Sequence, residues 1–329
     1  MHIDLMLDSL DGLSVGDALG AEFPVMRRSI PDLRAGNLTP GPWGWTDDTE
    51  MACSVVAELL GHGTIDPGRL APAFARRFDP RRDYGFISVG TLRRIQEGVH
   101  WREASGAAYD HQGSCGNGAA MRVAPLGAYF SGDPERIAVE AVRSAEVTHM
   151  HPEGISGAVA VALAAGEAAQ ARRTGTRPTP WDFITAVADR LDDGETGRLI
   201  RHARTLLGVS VEQAAAELGN GSRVTAQNTV PFTIWAAATH LTDYPAAITT
   251  CITADGDIDT TSAIVGGIVA AHTGSGPDSI AGVPQAWLAA REPLPRWFDP
   301  DHRPQRKKSG FGRVRQWLTG GSPDAPLAR

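Results

Sequence analysis

Residues 155 to 173 read ISGAVAVALAAGEAAQARR, an unbroken run of strong helix formers with apolar side chains at three- and four-residue spacing. A second run, SVEQAAAELG at 210 to 219, carries its own punctuation. Ser210 with Glu212 and Gln213 marks a helix start, and Gly219 marks a stop. No stretch shows convincing strand alternation. The fold class expected is all-α, a single compact multi-helix domain.

The breaks TGTRPTPWD (174 to 182) and LDDGETG (191 to 197) are short, and helical patterning resumes on either side, so both read as loops inside one domain. No repeat of 20 to 50 residues is visible. The domain is expected to span 1–298. A basic tail, 299–329, would follow it, with Arg303, Arg306, Lys307, Lys308, Arg313 and Arg315 among Gly, Ser and Pro, a pattern that reads as solvated and partly disordered.

A chain of 329 residues with 42% apolar and 21% charged residues can bury a substantial core. The formal charge of -7 argues against nucleic acid as a partner, because phosphate backbones are bound by concentrated Lys and Arg. Cys53, Cys115 and Cys251 are scattered and odd in number, as expected of a reduced, cytoplasmic protein. Asp4, Asp8 and Asp11 stand where a signal peptide would need basic and then apolar residues. No uncharged apolar stretch of about 18 residues suggests a membrane span.

Chemistry concentrates at two helix starts. Thr46, Asp47, Asp48 and Thr49 precede Met51, Ala52, Val55, Val56, Leu59 and Leu60, which share one face of a helix. Taken alone this is a cap, since Thr and Asp accept from free backbone N–H groups and meet the positive end of the helix dipole. Asp255, Asp257, Asp259, Thr260 and Thr261 repeat the pattern ahead of Ile264, Val265, Ile268 and Val269. One cap needs one side chain, and these starts supply a surplus. If they converge, each pair of carboxylates ~4 Å apart costs about 4 kcal/mol at an effective dielectric near 20. An all-oxygen donor set of this kind suits Mg²⁺, Mn²⁺ or Ca²⁺ rather than zinc. Spacing alone leaves open that the two starts never meet.

Between them lies HQGSCGNGAAMRVAPLGAYF (111 to 130), whose Gly113, Ser114, Gly116, Asn117 and Gly118 could expose backbone N–H groups to phosphate oxygens. It is not a P-loop, and taken on its own it reads as an ordinary turn. His149 and His151 lie just ahead of Pro152 and a helix start, close enough to reach one ligand from a loop. Gly154 and Gly157 read as sites of close helix packing.

Four stretches together resemble the ADP-ribosylglycohydrolases: GLSVGDALGAEF (12 to 23), WTDDTEMA (45 to 52), GSCGNGAAMRVAPLG (113 to 127) and DGDIDTTSAIVGGIVAAHTG (255 to 274). That resemblance implies an all-helical domain with two divalent cations, Mg²⁺ or Mn²⁺, held by Thr46, Asp47, Asp48, Asp257, Asp259 and Thr260, with Asp255 outside the set. It implies that Gly113, Ser114, Gly116, Asn117 and His149 bind ADP-ribose. It further implies hydrolysis of the bond between ADP-ribose and a modified protein side chain, with Asp47 or Asp48 serving as ligand or base. Two departures stand out. Pro24 replaces a glutamate common in relatives, leaving Glu22 as the nearby acid that could take its catalytic place, and Cys115 replaces a frequent Tyr. Arginine is the expected leaving group, with Asp83 and Asp110 as candidate partners for its guanidinium. A serine linkage, a non-catalytic ADP-ribose-binding protein and a Mg²⁺-dependent phosphohydrolase are the rival readings.

Overall fold

The computed structural model describes residues 1–300, and within them every regular element is helical. Strand geometry is limited to two isolated bridges, Trp43 with Arg291 and Gly116 with Thr225. The tail expected from residue 299 falls, beyond residue 300, outside the described residues.

The central pair is the N-terminal helix Ile3–Met26 and the helix Ile258–Thr273, which pack along their length. Small residues make the approach close. Gly12 and Gly16 abut the backbone of Gly266 and Ser262, and a Cβ on Gly20 would lie 2.7 Å from Asp259 Cα. Polar tethers tie the same helices into the core. Ser9 Oγ donates to the Gly267 carbonyl at 2.8 Å, and the buried Tyr244 hydroxyl donates to the Gly12 carbonyl at 2.7 Å.

The alanine-rich run forms the helix Pro152–Thr174, capped by Gly175 in the left-handed conformation. By length and composition it could cross a membrane, which the sequence reading did not anticipate, yet 78% of its most apolar window is buried inside the fold. It is a core helix here. Gly154 seats it against the Ser114 carbonyl, and Gly157 seats it against Ala226 of the helix Ala226–Thr239. The helix Val211–Leu218 begins at Ser210, whose hydroxyl accepts from Gln213 N, and ends at Gly219, as read from sequence. The expected loops are shorter than drawn, because helices restart at Pro180 and Glu195.

Candidate functional site

The first acidic motif is a helix start in fact. Thr46 is the N-cap of Asp47–His62, and its hydroxyl accepts from Asp48 N. The segment leading into it is braced by Arg82, whose guanidinium lies 3.4 Å from the Trp45 ring centroid, pairs with Glu292 and donates to the Trp45 carbonyl. In return Asp47 N donates to the Arg82 carbonyl at 2.7 Å.

Beneath the motif sits Asp17, a fully buried carboxylate on the N-terminal helix. Its Oδ2 accepts from Thr49 Oγ1 at 2.5 Å and Thr49 N at 3.0 Å, while its Oδ1 accepts from Thr46 Oγ1 at 2.8 Å. Both threonines of the motif are thus held by one acid. Burial outweighs these bonds and raises the Asp17 carboxyl to about 7, with the Asp259 charge adding to the rise.

The second motif caps Ile258–Thr273, with Asp257 at the N-cap and Asp259 in the first turn. Asp257 makes no cap hydrogen bond of its own. Its Oδ2 instead accepts from Asn117 Nδ2 of the glycine-rich loop at 2.6 Å. Burial and then Asp259 raise the Asp257 carboxyl to about 7. Asp255 is exposed and turned away by its left-handed φ of 59°.

The two motifs do converge. Asp47, Asp257, Asp259 and Thr260 line one cleft of about 360 Å³ together with Ser114, Gly116, Asn117, Gly118 and His149. Asp48, 1% exposed, lies one layer deeper, and its Oδ1 has no hydrogen-bond partner among the described residues. Burial, then the charges of Asp17 and the other acids, push Asp47 and Asp48 well above the usual carboxylate range. Among the described residues no three acid, His or Cys groups converge on a single point. The oxygens on offer are those of carboxylates and threonines, a chemistry that suits a hard cation, which would engage the unpartnered Asp48 oxygen and offset the mutual repulsion of the acids.

His149 and His151 part company. His149 is buried against the loop and lines the cleft; burial, and then the charge of Arg122, lower its ring to about 3, so it is neutral at physiological pH. His151 caps Pro152–Thr174 by accepting from Glu153 N. Gly113 is buried at the base of the loop, tight against Met150 and His151 rather than on the cleft. Glu22 accepts from Gly44 N at 3.3 Å and is not among the cleft residues, so it secures the approach to the first motif. Asp83 is exposed at the cleft wall, and Asp110, also exposed, is not among the lining residues.

Asp17 stands outside the acidic motifs, and its one signal in the sequence is a charge inside the apolar stretch SVGDALG. Phe86, Tyr109 and Val224 carry no such signal, and they line the cleft although 88%, 59% and 61% exposed. Large apolar side chains held in the open beside a polar cleft mark a binding surface. Backbone strain gathers there too, since Asp83, Tyr109 and Val224 have φ of 58°, 50° and 47°.

Fold and site together define a protein whose regular elements are helical throughout its described residues, with one cleft that gathers carboxylates, a threonine and a glycine-rich loop. The chain belongs to the ADP-ribosylglycohydrolase family, a family of hydrolases whose model matches residues 2–306. It is 29% identical over 331 residues to the ADP-ribosylhydrolase ARH3 of Gallus gallus, covering 84% of this chain and 86% of that one. It is 32% identical over 158 residues to the ADP-ribosyl-[dinitrogen reductase] glycohydrolase of Rhodospirillum rubrum, covering 45% and 52%. A solved ADP-ribosylglycohydrolase-related protein complex superposes with a TM-score of 0.62 at 25% identity, covering 88% and 93%.

Proposed function

We propose that this protein hydrolyses the bond between ADP-ribose and a modified protein side chain, most readily the N-glycosidic bond to arginine, using two divalent cations at the cleft floor. The observation that carries the reading is the meeting of both acidic helix starts with the glycine-rich loop in one cleft. Mg²⁺ or Mn²⁺ held by Thr46, Asp47, Asp48, Asp257, Asp259 and Thr260 would supply Lewis acidity and lower the pKa of a bound water.

The chain's own groups supply the rest. Asp47, on the cleft surface, takes the proton of the attacking water, while Asp48, underneath, stays a ligand. The carboxylates lining the cleft favour the positive charge that develops on the ribose in an oxocarbenium-like transition state. Ser114, Gly116, Asn117 and Gly118 border the space for the diphosphate and riboses, and Phe86 and Tyr109 offer flat faces for the adenine. Asp83 at the rim is the acid that would meet a guanidinium.

Mass spectrometry of products from arginine- and serine-linked ADP-ribosyl peptides, with and without Mg²⁺, tests this. Free ADP-ribose from the arginine peptide is expected. Release from the serine peptide alone would move the substrate to the O-linked class. Binding without release would leave a binding protein, and AMP among the products would make it a phosphohydrolase.

A further inference from the structure

Arg122 is fully buried, and none of its hydrogen bonds goes to a carboxylate. It braces the glycine-rich loop from behind. Nη2 donates to the Ser144 carbonyl at 2.7 Å, and Nη1 is shared among the Gly118 carbonyl at 3.1 Å, Thr148 Oγ1 at 3.0 Å and Met51 Sδ at 3.6 Å. Thr148, itself 1% exposed, lies 2.7 Å from His149 Nδ1.

A threonine hydroxyl has one hydrogen and two lone pairs. One lone pair of Thr148 is taken by Arg122. The hydroxyl makes no other hydrogen bond among the described residues, so its hydrogen has one acceptor in reach, His149 Nδ1. Were Nδ1 to carry the ring proton, a buried hydroxyl hydrogen would be left without a partner, a costly arrangement. The proton of the neutral ring therefore sits on Nε2. That edge lies under the loop: a Cβ on Gly116 would be 3.0 Å from Nε2 and one on Gly118 would be 3.2 Å away, and only the missing side chains admit the ring.

We propose that Arg122 and Thr148 are positioning residues that hold His149 in its Nε2–H form, so that the cleft meets ADP-ribose oxygens with a fixed donor at the glycine-rich loop. The proposal rests on the reading of the cleft as an ADP-ribose site. His149 then acts as a neutral donor and never as a base. The same guanidinium fixes the Gly118 carbonyl, so the loop and the ring share one anchor.

Long-range ¹H–¹⁵N correlation NMR of the full chain tests it, with the His149 ring assigned by the loss of its signals in His149→Gln, alongside calorimetric titration with ADP-ribose. The wild type should show a single Nε2–H tautomer. Thr148→Val, which keeps the shape and removes the hydroxyl, should mix the tautomers and weaken ADP-ribose binding roughly tenfold to a hundredfold. Thr148→Ser should restore both. An Nδ1–H ring in the wild type overturns the proposal even if the valine variant fails to fold. So does a valine variant with unchanged tautomer and affinity. Absence of ADP-ribose binding by a wild type with the expected tautomer overturns instead the reading of the cleft, and with it the ligand assigned to the donor.

Discussion

Asn117 Nδ2 donates to Asp257 Oδ2 at 2.6 Å, joining the glycine-rich loop to the second acidic motif across 140 positions of sequence. The amide is one of the groups that hold this carboxylate, which makes no cap bond to its helix backbone but also meets the side chains of Asp259 and Thr260. Asn117→Ala should therefore release Asp257 and weaken Mg²⁺ binding about 10- to 100-fold, the usual cost of losing a group that orients a ligand. Isothermal titration of the metal-free protein measures it, and an unchanged affinity would separate the loop from the cation.

Stability should depend on pH in a direction set by the buried acids. The folded-state pKa values of Asp17 and Asp257 are raised from 3.8 to about 7, and those of Asp47 and Asp48 are raised as well. The unfolded chain releases these protons first, so stability is lost as pH rises from about 4 to about 7. In EDTA the melting temperature should fall between pH 5 and pH 8. Saturating Mg²⁺ should stabilise most at the upper end, where the carboxylates are ionised.

Asp17→Asn replaces one of two accepting oxygens with a donor. The partners include Thr46 Oγ1 on one oxygen and both Thr49 N and Oγ1 on the other, so at least one set is left facing an N–H group. Weaker metal binding through a displaced Thr46 is expected in isothermal titration of the metal-free protein, while the pH dependence of stability contributed by the buried Asp17 carboxyl should disappear.

Phe86→Ala should leave the denaturation midpoint unchanged, because an 88% exposed side chain contributes little to folding. ADP-ribose affinity should fall roughly tenfold to a hundredfold if its ring stacks on adenine, at about 1–3 kcal/mol per stacked base. Equal affinity for both proteins would place the base elsewhere.

Asp83→Asn should reduce kcat/KM for an arginine-linked substrate about tenfold or more while leaving a serine-linked one within twofold, the expected signature of a lost charge-assisted bond to the leaving group. An equal effect on both would remove Asp83 from leaving-group recognition.

The helical class and the caps at Ser210 and Gly219 were legible because each depends on local pattern, whereas surplus charge at the two helix starts raised their convergence only as a possibility that spacing left open. The Asp17 contacts were not, since they join positions about 30 apart whose proximity arises only when the N-terminal helix packs. Glu22 stands differently. Its place beside Pro24, where relatives carry a glutamate, suggested a catalytic acid, and in the fold its carboxylate accepts from Gly44 N, a contact that no sequence pattern marks. The aromatic wall at Phe86 and Tyr109 carried no periodic signal, being single residues on separate short elements.

At Gly20 the N-terminal helix touches the backbone of Asp259 with no side chain in between. Beside the cleft residue Asp259 two main chains thus meet directly, and any side chain added at Gly20 would displace that acid. Divergence in substrate range is therefore expected at the outer wall, where Phe86, Tyr109 and Val224 stand exposed, rather than at this contact.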